Sequence, residues 1–283
     1  MIFKNTNVIV TGGSRGIGLA VAEAFCREGA RVLAVARSKK ELLGAQKNIV
    51  GKGGSYEILV ADVSRKSDRR KVKIYIAKKM KRTVHVLVNA AGIYGPIGLL
   101  EKNEEKEWER TFEVNVFGTA HISALVLPFM KRKQFGRIIN FSGGGEGPRP
   151  RFTAYSASKG AIVRFTESLA AETKEFGITA HAITPGGVNT KFLNDVLAAG
   201  PKKAGKDFYR QMREQKMTGG VSPETAARLV LYLAGDAGKF LSGKVISAHR
   251  DNWKDFRKHK KELSSSDVYT FRRIKPKERG YTW

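Results

Sequence analysis

The chain has a single cysteine, Cys26, among 283 residues, so no intrachain disulfide can form. Cys26 stands among Ala22, Phe25 and Ala30 and reads as a small buried apolar residue rather than a nucleophile. Long hydrophobic runs are missing too: none approaches the ~20 residues of a membrane span. The opening MIFKNTNVIVTGG becomes strand-like too soon for a secretory signal, which leaves a cytoplasmic address as the expectation. No metal site and no membrane partner are expected. Acidic residues are scarce: 26 Asp and Glu face 52 Lys and Arg, for a net charge of +26. Such a field attracts polyanions and anionic small molecules and says nothing about fold. Residues 65–82 carry ten basic groups and one acid, and 249–283 carry eleven and five. Both suit a solvated surface. No nucleic-acid motif accompanies them, and Tyr75 is the sole aromatic within 65–82, so nucleic acid is not the expected partner.

What is present is a strand-then-helix rhythm. Short apolar runs at 7–11, 31–36, 57–61, 84–89, 137–142, 178–184 and 244–248 read as seven strands. Helical spacing fills 16–29, 39–51, 64–82, 104–131, 155–176 and 223–234. Continuous Val, Ile and Leu runs suit strands covered on both faces, hence a parallel sheet. The alternation predicts a Rossmann-like, doubly wound α/β fold of about seven parallel strands, helices on both faces and a C-terminal tail. Residues 1–248 read as one dinucleotide-binding catalytic domain, and 249–283 as a basic, aromatic-containing extension. Residues 186–222 form a long excursion between the sixth strand and the last helix.

TGGSRGIG at 11–18 follows the first strand and opens the first helix. Glycine permits the tight turn and lets backbone N–H groups approach a phosphate at the helix N-terminus. At the end of the second strand, where an acid would hold a free ribose diol, stand Ala36 and Arg37. Arg15 lies inside the glycine turn. Two cations and no acid favour NADP(H) over NAD(H), unless both arginines are merely exposed.

Tyr155 and Lys159 are four residues apart at a helix start, so their side chains share one face. An ammonium beside a phenol stabilises the phenolate, making Tyr155 a usable general acid in reduction and base in oxidation. Ser142 ends the fifth strand and is placed to donate a hydrogen bond to a substrate oxygen.

With TGGSRGIG at 11–18, NAAG at 89–92, Asn115 in FEVNV, Ser142 and YSASK at 155–159, the chain resembles the short-chain dehydrogenase/reductase family, from residue 5 to about 248. The resemblance implies that Asn115, Ser142, Tyr155 and Lys159 are catalytic, with Lys159 also holding the nicotinamide ribose and Asn115 holding a water between Lys159 and solvent. It implies cofactor contacts at Thr11, Gly12, Ser14, Arg15, Gly16, Ile17 and Gly18. Further contacts fall at Arg37, at Asp62 and Val63 beside the adenine, and at Asn89, Ala90 and Gly92. The remaining ones are Pro185, Gly186, Val188 and Thr190. A homodimer or homotetramer through 104–131 and 155–176 is likewise implied.

The segment GGGEGPRPRF after Ser142 and the ending HRDNW depart from the family pattern, and substrate shape is read from such parts. Arg149 and Arg151 stand where a substrate wall is built, and 186–222 adds further cations. A small anionic substrate of the acyl-carrier, sugar or carboxylate type is one reading; generic basicity is the other. The excursion is expected to close as a lid, hinged at Gly186, Gly187, Gly219 and Gly220. The six aromatics of the tail predict that part of it packs on the body or on a neighbouring subunit. The activity expected is carbonyl–alcohol interconversion by hydride transfer. An epimerase or dehydratase on this fold, or a dinucleotide- or RNA-binding regulator, are the alternatives.

Overall fold

The computed structural model describes residues 1–143 and 147–283. Seven strands form one sheet: β1 (Asn7–Thr11), β2 (Arg31–Ala36), β3 (Ser55–Val60), β4 (Val86–Asn89), β5 (Gly136–Phe141), β6 (Ile178–Thr184) and β7 (Val245–Ser247). Their order is β3-β2-β1-β4-β5-β6-β7, and every pairing is parallel. The central strands are mostly apolar because both faces are covered; Val8, Ile9 and Val10 are all fully buried. Strand order runs outward in both directions from β1 and β4. The crevice at the strand C-termini therefore opens at that switch point.

The helices are α1 (Gly16–Arg27), α2 (Lys39–Gly51), α3 (Lys66–Lys79), α4 (Glu105–Phe112), α5 (Thr119–Lys133), α6 (Thr153–Thr173), α7 (Lys191–Ala204), α8 (Lys206–Thr218), α9 (Pro223–Ala234) and α10 (Lys260–Ser265). One face of the sheet packs Val8, Val10 and Ile139 against α1, α2 and α9. The other packs Ile9, Leu87 and Ile138 against α3, α5 and α6. Between α4 and α5 the backbone passes through a π-helical stretch, Glu113–Gly118. The run 105–133 is long and apolar enough to cross a membrane by length and composition. Here Ile122, Val126, Phe129 and Met130 bury its inner stripe against the sheet.

The excursion 186–222 is not a loop. It folds as α7 and α8, broken by non-helical Gly200 (φ 76°) before Pro201 and by Gly205 (φ 89°). Its base is clasped: Val188 bridges Gly220, and Val221 N donates to Gly187 O at 2.8 Å. Leu193, Val196, Ala204 and Met212 form a small core of their own with Phe152 and Tyr155.

The tail divides. Trp253, Phe256 and Leu263 are buried in the core face shared with α9, whereas Phe271, Tyr281 and Trp283 are exposed. At the sheet edge, Val245 N donates to Tyr269 O at 2.8 Å, and Lys244 Nζ donates to the carbonyls of Ser266 and Val268 at 2.6 and 2.7 Å.

Candidate active site

The first β-to-α connection is built by close backbone approach. A side chain at Gly18 would stand 2.2 Å from Gly12 O, and Gly12 itself has φ 70°. Glycine is required at both positions. Arg15 sits at the N-cap of α1 in extended conformation and no side chain caps the helix, so the first-turn N–H groups face outward as a phosphate site needs. Thr190, at the N-cap of α7, lies against this turn: a Cβ on Gly16 would meet its Cγ2 at 3.3 Å. Thr11 Oγ1 accepts from Ala91 N at 3.3 Å and ties the turn to the end of β4.

The other cofactor expectations fall around this cradle. Ile17, Ala90, Gly92, Pro185, Gly186, Val188 and Thr190 all line one cavity of about 950 Å³. Arg37 is exposed at the end of β2. Arg15 is held by Glu41, Nη1 to Oε1 at 2.7 Å, and Ser14 Oγ donates to the other carboxylate oxygen at 2.9 Å. Sequence reasoning missed Glu41; its place in the first turn of α2 was the available signal. Asp62 accepts from Ser64 N and Oγ and from Arg110 at 2.7 Å. Burial pushes its carboxyl up, but these hydrogen bonds outweigh it and hold the group below the ordinary range. Val63 is buried in the adjoining core. Asn89 lies deeper, donating to Ser123 Oγ and Asn140 Oδ1. The residues fit a dinucleotide: an uncapped helix start, a side-chain-free backbone cradle and cations at the ribose end.

Tyr155 and Lys159 both lie on α6 and both line the cavity, at 8% and 6% exposure. Lys159 Nζ donates to Phe141 O at 2.7 Å and lies 5.7 Å from the Tyr155 ring centroid. Burial pushes the lysine down to about 8. Burial raises the Tyr155 phenol well above its ordinary value, Tyr94 adds to the rise, and Arg149 opposes it. Arg149 is thus a second cation near this phenol, beside Lys159, whose ammonium also bonds the end of β5.

Asn115 uses its whole amide on protein. Nδ2 donates to Ile93 O and Ser158 Oγ at 2.9 Å each, and Oδ1 accepts from Ile93 N at 2.9 Å. The π-helical stretch turns this side chain inward, where it fixes the loop after β4. Ser142 lies between two residues of the cavity wall. It is fully buried, its Oγ donates to Ile183 O at 3.3 Å, and its neighbours Phe141 and Gly143 line the cavity in its stead. Gly144, Gly145 and Glu146 of the glycine-rich segment lie outside the described residues.

Arg149 lines the cavity, its guanidinium 5.5 Å from the Phe208 ring centroid. Arg151 is drawn to α7, donating to Lys202 O at 2.9 Å and Lys203 O at 3.4 Å. Sequence reasoning missed the aromatic wall. Tyr94 stands edge-on to Tyr155 with centroids 4.6 Å apart, and Phe152 and Phe192 pack on it at 5.3 and 4.5 Å. Lys206, one of the cations expected from the 186–222 excursion, lines the cavity, as does Arg250, which sequence reasoning missed. Among the described lining residues, Lys159, Arg149, Arg151, Lys206 and Arg250 face one carboxylate, Asp207.

Comparison with known proteins places this geometry among relatives. A family model described as short chain dehydrogenase matches residues 6–199. The short-chain reductase protein NovJ of Streptomyces niveus is 33% identical over 251 residues, 87% of this chain and 93% of that protein. Among solved structures, a single-substitution variant of actinorhodin polyketide ketoreductase with NADPH superposes with a TM-score of 0.76 at 27% identity, covering 86% of this chain and 95% of the other. An NAD⁺-bound xylitol dehydrogenase gives 0.79 at 25%, covering 87% and 98%.

Proposed function

The chain belongs to the short-chain dehydrogenase/reductase family of NAD(P)-dependent oxidoreductases acting on CH–OH groups, and from that premise we propose that it interconverts a carbonyl and a secondary alcohol with NADP(H). The observation that carries this reading is the meeting, in one cavity, of Tyr155 and Lys159 with Ile17, Gly186 and Thr190 of the cofactor cradle. The nicotinamide supplies or accepts the hydride. Tyr155 gives its phenolic proton to the carbonyl oxygen in reduction and takes it back in oxidation. Lys159, one turn along α6, holds the nicotinamide ribose and keeps positive charge beside the phenol. Asn115 fixes the loop that carries Gly92 and Tyr94. Arg15 and Arg37 hold the 2′-phosphate, which selects NADP(H).

The substrate in this reading is anionic, drawn by the excess of cations on the cavity wall. Helices α7 and α8 close over it as a lid, and the catalytic domain spans 1–248 with 249–283 as an extension. The family premise adds a dimer or tetramer through 105–133 and α6, which the mass in solution tests. A panel of carbonyl substrates followed by NADPH absorbance tests the activity, with Tyr155→Phe as control. Turnover is expected from the native chain and none from the variant; comparable turnover by both would overturn the mechanism. KM is expected to rise with ionic strength, and a flat salt titration would remove the anionic substrate.

A further inference from the structure

Among the described residues, the cavity lining does not include the hydroxyl of Ser142, the donor expected from the sequence pattern. That hydroxyl is buried on Ile183 O, and the residue lining the cavity beside it is Gly143, which has no side chain. A carbonyl oxygen approaching Tyr155 would therefore have one side-chain donor, unless another group stands opposite.

Tyr94 stands there. Its ring is fixed by Phe152, Tyr155 and Phe192 at centroid distances of 5.3, 4.6 and 4.5 Å, and it lines the cavity. The Arg149 guanidinium, on the same cavity wall, bears on the Tyr94 phenol. A guanidinium can only donate, so it leaves the phenol its own proton to give. Among the described residues no protein acceptor takes that proton. Burial raises the Tyr94 phenol above its ordinary value, against the pull of Arg149, so it stays protonated at neutral pH. It is then suited to be a donor rather than a base.

We propose that Tyr94, beside Arg149 on the cavity wall, donates a hydrogen bond to the substrate carbonyl oxygen alongside Tyr155, in the place the sequence assigns to Ser142. This rests on the carbonyl-reductase reading above. Tyr155 transfers its proton to the oxygen, while Tyr94 keeps its own and stabilises the charge that develops there. Arg149 is a positioning residue: its charge bears on the Tyr94 phenol and favours the Tyr155 phenolate. Removing one such oxyanion donor commonly costs about 10²–10³ in kcat.

The test compares Tyr94→Phe, Ser142→Ala, Arg149→Gln and Tyr155→Phe in the full-length protein by NADPH absorbance on the carbonyl panel. Tyr94→Phe keeps the packed ring. It is expected to lose about 10²-fold in kcat with substrate KM within about threefold, and to bind NADPH as the native chain does by fluorescence titration. Ser142→Ala is expected to stay within about threefold. Arg149→Gln leaves the ring cluster intact and gives a second, independent measurement. It is expected to lower kcat and to move the apparent pKa for alcohol oxidation upward, an effect that a purely structural role would not produce. Full activity in Tyr94→Phe, or a large kcat loss in Ser142→Ala beside a mild one in Tyr94→Phe, would overturn the proposal. With Tyr155→Phe inactive, those outcomes leave the parent reading standing. An active Tyr155→Phe, or no turnover by the native chain, overturns both.

Discussion

Lys159 Nζ reaches the carbonyl oxygen of Phe141 at 2.7 Å, so the amine is anchored to the end of β5 rather than to the phenol one turn before it. Burial depresses its proton affinity, from an ordinary 10.5 to about 8. Between those values the unfolded chain binds more protons than the folded one, so this group makes stability rise with pH across about 8 to 10.5. Below pH 8 the folded chain carries a buried ammonium at a cost. Lys159→Met lacks this contribution. The melting temperature of the native chain is expected to gain on that of Lys159→Met as pH goes from 7 to 10. Parallel curves would show that the buried charge is not felt.

Glu41 competes for the groups proposed to hold the cofactor phosphate, since it takes both Arg15 and Ser14. Glu41→Gln is expected to lower KM for NADPH several-fold. Arg37→Ala is expected to raise it about tenfold or more, a loss of about 1.4 kcal/mol per decade. KM for NADH should change little in either variant. Initial rates with both nucleotides check this.

Arg151 holds α7 from the opposite rim, in a left-handed backbone conformation with φ 69°. Arg151→Ala removes two hydrogen bonds to the carbonyls of Lys202 and Lys203 while keeping that conformation. Each such bond contributes about 1 kcal/mol. Tryptic cleavage at Lys202 and Lys203 is expected to speed up several-fold, and the cut sites are read by mass spectrometry.

Trp253 is buried at 8% exposure, with its indole N–H on Ala248 O at 3.1 Å and its ring 5.2 Å from that of Tyr232. Trp253→Ala is expected to cost about 3–5 kcal/mol, as a large-to-small core change. A thermal melt should fall by roughly 6–20 °C.

The sheet was legible because its strands are continuous apolar runs and its helices carry 3.6-residue spacing; 7–11, 31–36 and 178–184 match to the residue. Tyr155 and Lys159 were legible because an i,i+4 pair shares a helix face. The run RIINFS is buried on both faces of the sheet, so no alternation tells which of two adjacent residues, Ser142 or Gly143, turns to the crevice. A one-residue difference exchanges Ser142 for Gly143. Helices α7 and α8 were hidden by Gly200, Pro201 and Gly205, which interrupt the periodicity where the chain kinks and turns. Tyr94 was invisible as a lone aromatic in a loop. Only the folded chain brings Phe152 and Phe192 around it.

The bond from Val245 N to the Tyr269 carbonyl seals the last strand of the sheet. An open parallel edge offers its unpaired amides to any other extended chain and so invites intermolecular sheet growth. Residues 266–269 occupy that edge with their own backbone, and Lys244 is pinned beneath them. The extension is thus expected to serve as a self-supplied edge guard. Shortening the chain before Ser266 would leave the catalytic cavity's residues in place up to Arg250 while exposing β7, so the loss would first be seen as concentration-dependent aggregation rather than as a slower reaction.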